Sequence, residues 1–199
     1  FRLMMHYTGD QNALQAYETD PDVDFHQWLA DEAQIERRPA KTLNFMIGFG
    51  GGKAKTVATL KINKDVVGAV KERLGAGDMS DPEYSARFNA LCEQRALRVF
   101  DKYHETLPGI RPTSRRAAAV CVRRGYVRNI AGRHRHLPTD HAHKAFNSLN
   151  QSSAADLQKE RTVALWEALR GTPVHLAALV HDETLLEAPT DVADDPRFQ

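Results

Sequence analysis

Residues 37–52 read RRPAKTLNFMIGFGGG, and this stretch decides how the rest of the chain is interpreted. Its apolar residues recur at helical spacing and three glycines follow it, so it predicts one helix that the glycines end. Arg37, Lys41, Phe45 and Phe49 follow one another at intervals of four, and each such step rotates a helix by about 40°. The helix therefore presents two cations and two aromatic rings along one side.

That side of the helix suits a polyphosphate ligand. Arg37 offers a planar fork of donors and Lys41 a point charge. Phe45 can pack on a sugar or a base, and Gly50, directly after Phe49, lets a template base approach the backbone closely. The same spacing also fits a helix whose rings face a core and whose cations extend into solvent. On spacing alone, both interpretations stay open.

Charge along the chain is sorted into blocks although the net charge is only +1. Between Arg111 and Arg135 there are eight arginines and no acidic residue, whereas six acidic residues follow Val180. This separation favours a protein that holds a polyanion in one region and cations in another.

Composition indicates an ordinary globular protein, with 42% hydrophobic and 27% charged residues. No stretch approaches the roughly 18 consecutive apolar residues of a membrane helix, so no membrane partner is expected. Cys92 and Cys121 lie far apart and predict free thiols in a reducing, cytoplasmic location.

Periodicity predicts a mostly helical α+β chain with a minor antiparallel sheet. The helix over 83–105 is expected to bury Phe88, Leu91, Leu97, Val99 and Phe100. Two apolar runs at 174–180 and 184–186 predict a hairpin with carboxylates at its turn. Further helices are predicted over 1–7, 10–16, 24–33, 53–60, 65–74, 112–124 and 142–169, and a short strand over 126–130.

The stretch from Arg37 to Gly50 resembles the motif B helix of family A DNA polymerases, which reads RR-x-x-K-x-x-N-F-x-x-x-Y-G. The resemblance implies that Arg37 and Lys41 contact the triphosphate of an incoming nucleotide, with Lys41 also serving catalysis. It implies that Phe45 packs on the sugar and base, and that Phe49 and Gly50 border the template base. Position 49 is phenylalanine where the family usually has tyrosine, so the ring is kept and its hydroxyl is lost.

Three further segments are similar to elements of the same family. Asp24-Phe25-His26 resembles its D-I-H element, which implies that His26 contacts the triphosphate. Residues 124–138 resemble its G-Y-V…G-R-R-R segment, so Arg128 and Arg133 would contact the DNA backbone. Residues 145–157 resemble its A-F-N…A-A-D-L helix, in which Asn147 and Gln151 would donate to minor-groove acceptors of primer and template.

Residues 179–189 resemble the motif C hairpin, V-H-D-E-x-x-x-E. The resemblance implies that Asp182 is a metal ligand and catalytic residue, that Glu183 is a secondary catalytic carboxylate and that His181 contacts the primer end. Carboxylates at a strand turn suit Mg²⁺. Two such ions would activate the primer 3′-hydroxyl and steady the pyrophosphate. A His-Asp pair alone is also typical of hydrolase metal sites and of plain surface turns.

The resemblance implies template-directed DNA synthesis by a monomeric bacterial or phage enzyme that uses dNTPs, primer-template DNA and two Mg²⁺ ions. It divides the chain into the approach from palm to fingers (1–36), the helical fingers (37–110) and part of the palm (111–199). The motif A aspartate would lie upstream of Phe1. The last palm elements would also lie outside residues 1–199, so both ends are expected to be cut and the isolated fragment to be inactive.

Three alternatives remain on the residues alone. The arginine block fits a non-catalytic module that binds nucleic acid. His181 and Asp182 fit a metal-dependent phosphohydrolase, although that site needs further ligands and the histidines between His134 and His143 are clustered together. A single-subunit RNA polymerase would bind its nucleotide with a similar helix. Triphosphate binding that depends on Arg37 and Lys41 would separate a polymerase from the binding module.

Overall fold

A computed structural model of the 199-residue chain describes residues 1–181 and 183–194. Helices predominate, and the strands form two antiparallel pairs, so the predicted α+β class is confirmed. The helices are α1 (Arg2–Thr8), α2 (Gln11–Thr19), α3 (Phe25–Ala33), α4 (Arg37–Gly48), α5 (Lys53–Lys61), α6 (Lys64–Leu74), α7 (Pro82–Thr106), α8 (Ile110–Arg124), a 3₁₀ helix (Thr139–Lys144), α9 (Ala145–Leu169) and α10 (Thr190–Ala193). The strands are β1 (Tyr126–Arg128), β2 (His134–His136), β3 (His175–Val180) and β4 (Glu183–Glu187).

Several helices begin where the sequence places a polar side chain that accepts backbone N–H groups. Asp10, Asp24, Asn63 and Asp81 cap α2, α3, α6 and α7 in this way. Such a side chain satisfies donors that the first turn of a helix leaves unpaired. Pro82 follows directly at the start of α7, where its missing N–H removes no helical hydrogen bond.

The α4 helix has close to the predicted bounds and packs by means of a glycine. Ala40, Leu43 and Ile47 are buried along its inner side. A Cβ atom added at Gly48 would lie 2.8 Å from the Sδ of Met4 and 3.0 Å from the hydroxyl oxygen of Tyr103. A side chain at position 48 would therefore require the end of Met4 and the Tyr103 hydroxyl to shift.

The long helix α7 confirms its prediction, but its buried stripe is rotated. Leu91 and Leu97 are only half-buried, whereas Cys92 and Ala96 are fully buried. The small side chains lie innermost because α7 packs closely against α5. The buried positions are Phe88, Cys92, Ala96, Val99, Phe100 and Tyr103.

The chain divides into two compact units. The first comprises Phe1–Val127 with His136–Ser148, and the second comprises Arg128–Arg135 with Leu149–Gln199. The predicted division into the approach from palm to fingers, the fingers and the palm, with boundaries at 36/37 and 110/111, is based on function and not on compactness. It stays a prediction. Within the described part of the chain, no helix combines the length and the apolar character needed to cross a membrane.

The second unit contains the predicted hairpin. Strands β3 and β4 are antiparallel, with Val180 opposite Glu183 and His175 opposite Glu187, and the register shifts between Leu176 and Ala178. His181 has a φ of 56°, a backbone conformation that tight hairpin turns require. The strand predicted over 126–130 is present as β1, which ends at Arg128, and His134–His136 form a further strand, β2, that was not predicted.

A candidate nucleotide-binding face on α4

Asp24 joins the start of α3 to the start of α4. Its Oδ1 accepts the backbone N–H groups of His26 at 2.8 Å and Gln27 at 3.1 Å. Its Oδ2 accepts the Nε–H of Arg37 at 2.6 Å. Partial burial alone would raise the pKa of Asp24, but the Arg37 hydrogen bond and the two backbone donors hold it below its ordinary value. The carboxylate is therefore charged and holds Arg37 beside His26.

His26 is held by the buried amide of Asn44. The Asn44 Nδ2 lies 3.1 Å from the carbonyl oxygen of Phe25 and 3.0 Å from the Nδ1 of His26. Partial burial lowers the pKa of His26, and the nearby charges of Lys41 and Arg37 act in the same direction while Asp24 opposes them. The ring is therefore neutral near pH 7.

Tyr103 of α7 completes this hydrogen-bond network by bonding to Asn44. Its hydroxyl lies 2.9 Å from the Oδ1 of Asn44 and 3.2 Å from the Asn44 carbonyl oxygen. The side chain has no exposed surface, and burial raises the pKa of its phenol, so it stays a neutral donor. A single buried residue of α4 thus links α3 to α7.

The outer side of α4 carries the predicted cations and rings. Arg37 and Lys41 are exposed, and within the described residues no carboxylate oxygen lies within 4.0 Å of the Lys41 ammonium. The rings of Phe45 and Phe49 are stacked, with centroids 5.7 Å apart and planes 12° apart. His26 lies beside them, with its ring centroid 5.1 Å from that of Phe45. The face therefore combines two cations, one neutral imidazole and an aromatic surface.

A cleft of about 520 Å³ adjoins this face, and Arg37, His26 and Asp24 line it. Arg2 of α1 also lines it, with its guanidinium carbon 5.0 Å from the ring centroid of Tyr17. Cationic donors and aromatic surface at one opening suit an anionic ligand that carries a ring.

The glycine turn after α4 borders a second cleft of about 280 Å³. Gly50 has a φ of 95°, a conformation that favours glycine. Arg111 lines this cleft and lies 4.9 Å from the centroid of the Phe100 ring. Burial and then the charge of Arg111 lower the pKa of His104 to about 4, so that ring is neutral near pH 7. The cleft thus combines the glycine backbone with the positive charge of Arg111.

In the second unit, the turn from Asn129 to Arg133, between β1 and β2, is built around the buried carboxylate of Asp156. It accepts the Nδ2 of Asn129 at 2.7 Å, and Nε and Nη2 of Arg133 at 2.9 Å each. Asn129 in turn accepts the backbone N–H of Arg133 at 2.9 Å. The hydrogen bonds from Asn129 and Arg133 hold the pKa of Asp156 below its ordinary value. Two guanidinium nitrogens of Arg133 are thus occupied by protein.

The other residues proposed to contact DNA differ in exposure. Arg128 and Gln151 are exposed and belong to the second unit. Asn147 is half-buried and belongs to the first unit. Its Oδ1 is buried and has no hydrogen-bond partner among the described residues.

At the hairpin turn, His181 and Glu183 are exposed. Asp182, the predicted metal ligand, lies outside the described residues. In residues 1–181 and 183–194 there is no group of three or more His, Cys, Asp or Glu side chains that could hold a metal ion. Glu183 alone supplies fewer oxygen ligands than Mg²⁺ requires.

Sequence patterns missed four residues of these networks, namely Asn44, Tyr103, Asn129 and Asp156. Asn44 and Tyr103 are 59 positions apart, and Arg133 and Asp156 are 23 positions apart. One local signal existed for Asn44, a polar residue between the buried positions Leu43 and Ile47 of an amphipathic helix. A polar residue at such a position needs a hydrogen-bond partner, which its spacing alone does not identify.

Comparison with known proteins defines the family of this chain. The family model described as DNA polymerase family A matches residues 78–197, which is more than half of the chain. The chain therefore belongs to DNA polymerase family A, as the resemblance of its motifs predicted.

Relatives extend this similarity over nearly the whole chain. The DNA polymerase DpoZ of Salmonella phage PMBT28 is 29% identical over 92% of this chain and 29% of its own length. The DNA polymerase of Mycobacterium phage L5 is 30% identical over 97% of this chain and 27% of its own length. The thermostable DNA polymerase I of Thermus filiformis is 30% identical over 98% of this chain and 22% of its own length. The chain thus spans less than a third of these relatives.

A solved structure confirms the fold. The polymerase domain of Pol1 from M. smegmatis, in complex with DNA primer-template and dNTP, matches with a TM-score of 0.67 at 20% sequence identity. The match covers 95% of this chain and 32% of that one.

Proposed function

We propose that this chain supplies the nucleotide-binding face of an enzyme that adds deoxynucleotides to a primer 3′-hydroxyl on a DNA template. The observation that carries the proposal is the outer side of α4, where exposed Arg37 and Lys41 precede the stacked rings of Phe45 and Phe49. Membership of DNA polymerase family A supports this function over the other possible uses of such a face.

Each residue of the face has a distinct proposed role. Arg37 and Lys41 bind the triphosphate, and Lys41 also neutralises charge on the pyrophosphate as it leaves. His26, neutral and adjacent to Arg37, donates one hydrogen bond to a phosphate oxygen. Phe45 packs on the sugar and base.

Template and primer would be held by the remaining residues of the family's motifs. Phe49 and Gly50 border the template base at the end of α4. Arg128 and Arg133 contact backbone phosphates without reading sequence. Asn147 and Gln151 contact the minor groove, and His181 contacts the primer end.

We also propose Mg²⁺ as the cofactor, held by Asp182 with help from Glu183. Bound at the exposed turn between β3 and β4, the metal would supply Lewis-acid stabilisation of phosphoryl transfer. Glu183 is the first residue of β4 and faces solvent, where a hydrated cation can reach it.

Calorimetric titration of the 199-residue chain with dATP tests the proposal. We expect Arg37→Ala and Lys41→Ala each to weaken binding by about tenfold or more, since each removes a charge-assisted hydrogen bond to a phosphate. Lys55→Ala, which removes an exposed cation from α5, serves as the matched control and should change the affinity by less than about twofold.

If Arg37→Ala and Lys41→Ala bind dATP as tightly as the wild type, α4 is not the triphosphate site. A module that binds only nucleic acid would instead show no dATP binding by the wild type, together with binding of primer-template DNA.

A further inference from the structure

We propose that Asn44 and Tyr103 are positioning residues that hold His26 in the neutral form with its proton on Nε2. This rests on the proposed function, because His26 acts there as a donor to the triphosphate. Neither residue faces the nucleotide-binding side of α4, since both are fully buried. Their contribution would therefore act through His26.

The orientation of the Asn44 amide follows from the Phe25 carbonyl. That carbonyl oxygen can only accept a hydrogen bond, and it lies 3.1 Å from one amide atom of Asn44. This atom must therefore be the nitrogen, Nδ2, which only donates. The same Nδ2 lies 3.0 Å from the His26 Nδ1, so Nδ1 must be the unprotonated acceptor. A neutral imidazole then carries its proton on Nε2.

Tyr103 stabilises this orientation from the other side of the amide. Its hydroxyl donates to the Asn44 Oδ1, which is buried and would otherwise lack a partner. If the amide rotated by 180°, Oδ1 would face the Phe25 carbonyl oxygen, and two acceptors would oppose each other at close range. The Phe25 carbonyl thus fixes the orientation of the amide, and with it one tautomer of His26, while Tyr103 satisfies the amide oxygen that this orientation buries.

Gly48 provides the space that this arrangement needs. It lies one turn after Asn44 on the same side of α4, and a Cβ atom there would lie 3.0 Å from the Tyr103 hydroxyl oxygen. The network therefore connects three helices, from Tyr103 on α7 through Asn44 on α4 to His26 at the start of α3.

Imidazole nitrogen NMR of the wild-type chain tests the tautomer directly. We expect near neutral pH a protonated Nε2 and an unprotonated Nδ1 at His26, with the signals assigned by their loss in His26→Gln. A protonated Nδ1 in the neutral ring would overturn the proposal. Asn44→Asp should reverse the pattern, because a carboxylate can only accept and therefore favours a proton on Nδ1.

A double-mutant cycle on dATP binding tests whether Tyr103 acts through His26. We expect Tyr103→Phe to weaken binding about two- to tenfold in the wild-type background and to have no further effect in the His26→Ala background. Tyr84→Phe is the matched control, since the Tyr84 hydroxyl, on the same helix, donates to the Gly75 carbonyl at 3.1 Å, far from the face.

The possible failures are distinguishable. If His26→Ala binds dATP normally, the role proposed for His26 itself is wrong. If His26→Ala weakens binding but Tyr103→Phe weakens it equally in both backgrounds, Tyr103 supports only the fold and the positioning role is wrong. If Tyr103→Phe fails to fold, the tautomer of the wild-type chain still decides the proposal.

Discussion

Two arginines proposed to contact phosphates are each bound by an aspartate, but the two pairs differ in how the carboxylate is enclosed. Arg37 meets Asp24 through one contact of 2.6 Å, and the Asp24 side chain is 32% exposed. Arg133 meets Asp156 through two contacts of 2.9 Å, and the Asp156 side chain is only 7% exposed. The arginines themselves are similarly exposed, at 54% and 59%.

The difference separates an arginine that is still free to bind a ligand from one that holds the scaffold. Asp24 occupies only the Nε of Arg37, so the rest of the guanidinium can bind a phosphate, and a phosphate can replace the carboxylate. Asp156 is surrounded by Asn129, Arg133 and, at 3.8 Å, Lys159. Releasing Arg133 would leave a buried charge without its main partner, which is costly. Arg133 therefore holds the turn, and only its remaining edge can reach DNA.

The largest effect is expected from removing the amide that supports the buried pair. Asn129→Ala should lower the free energy of unfolding by about 3 kcal/mol, because it leaves a carboxylate oxygen and the Arg133 backbone N–H short of partners. Urea unfolding would measure this. Asn89→Ala, which removes an exposed amide bonded to the Ser85 carbonyl, should cost less than about 0.5 kcal/mol. Equal losses in both variants would mean that the Asp156 network is not a scaffold.

A smaller effect of opposite sign is expected at Asp24. Asp24→Ala should cost about 1 kcal/mol of stability, because α3 loses its capping side chain, but should tighten dATP binding about two- to fivefold, because Arg37 is released. Asp81→Ala removes the cap of α7 without freeing an arginine, so it should lower stability alone. Asp24→Ser keeps a capping oxygen and removes the charge, and should tighten binding at little cost in stability. Weaker dATP binding in Asp24→Ser would show that Asp24 supports triphosphate binding and does not compete with the triphosphate for Arg37.

The smallest expected difference between the two pairs is in how steeply thermal stability falls at acidic pH. Both aspartates have a pKa below the ordinary value in the fold. Such a carboxyl stabilises the fold above its unfolded pKa of about 3.9, and this stabilisation is lost as pH falls through the folded value. We expect the Tm of the wild type to fall between about pH 5 and pH 2, less steeply in Asp156→Asn than in Asp24→Asn. The reverse order would mean that the exposed pair is the stronger one.

Local chemistry explains what the sequence predicted well. The bounds of α4 followed from its apolar spacing and the glycines after Phe49, and the β3–β4 hairpin followed from two apolar runs around a polar turn. The motif resemblance identified the family, which the comparisons confirm. The roles of individual site residues, including Asp182 beyond the described residues, stay predictions.

Long-range packing explains what local patterns could not predict. The rotation of the buried stripe of α7, which leaves Leu91 half-buried and Cys92 inside, depends on how closely its neighbours approach. The partners of Asn44 and Arg133 come from distant parts of the chain. Neither periodicity nor residue type specifies which distant hydroxyl or carboxylate will meet a buried amide or a guanidinium.

The most direct test of the account is arginine side-chain NMR during a titration with dATP. The Nε–H signals of Arg37 and Arg133 can be assigned by their loss in Arg37→Lys and Arg133→Lys. The account predicts that the Arg37 signal shifts as the triphosphate displaces Asp24, while the Arg133 signal stays in place against Asp156. A stationary Arg37 signal at saturating dATP would contradict the assignment of α4 as the triphosphate-binding face.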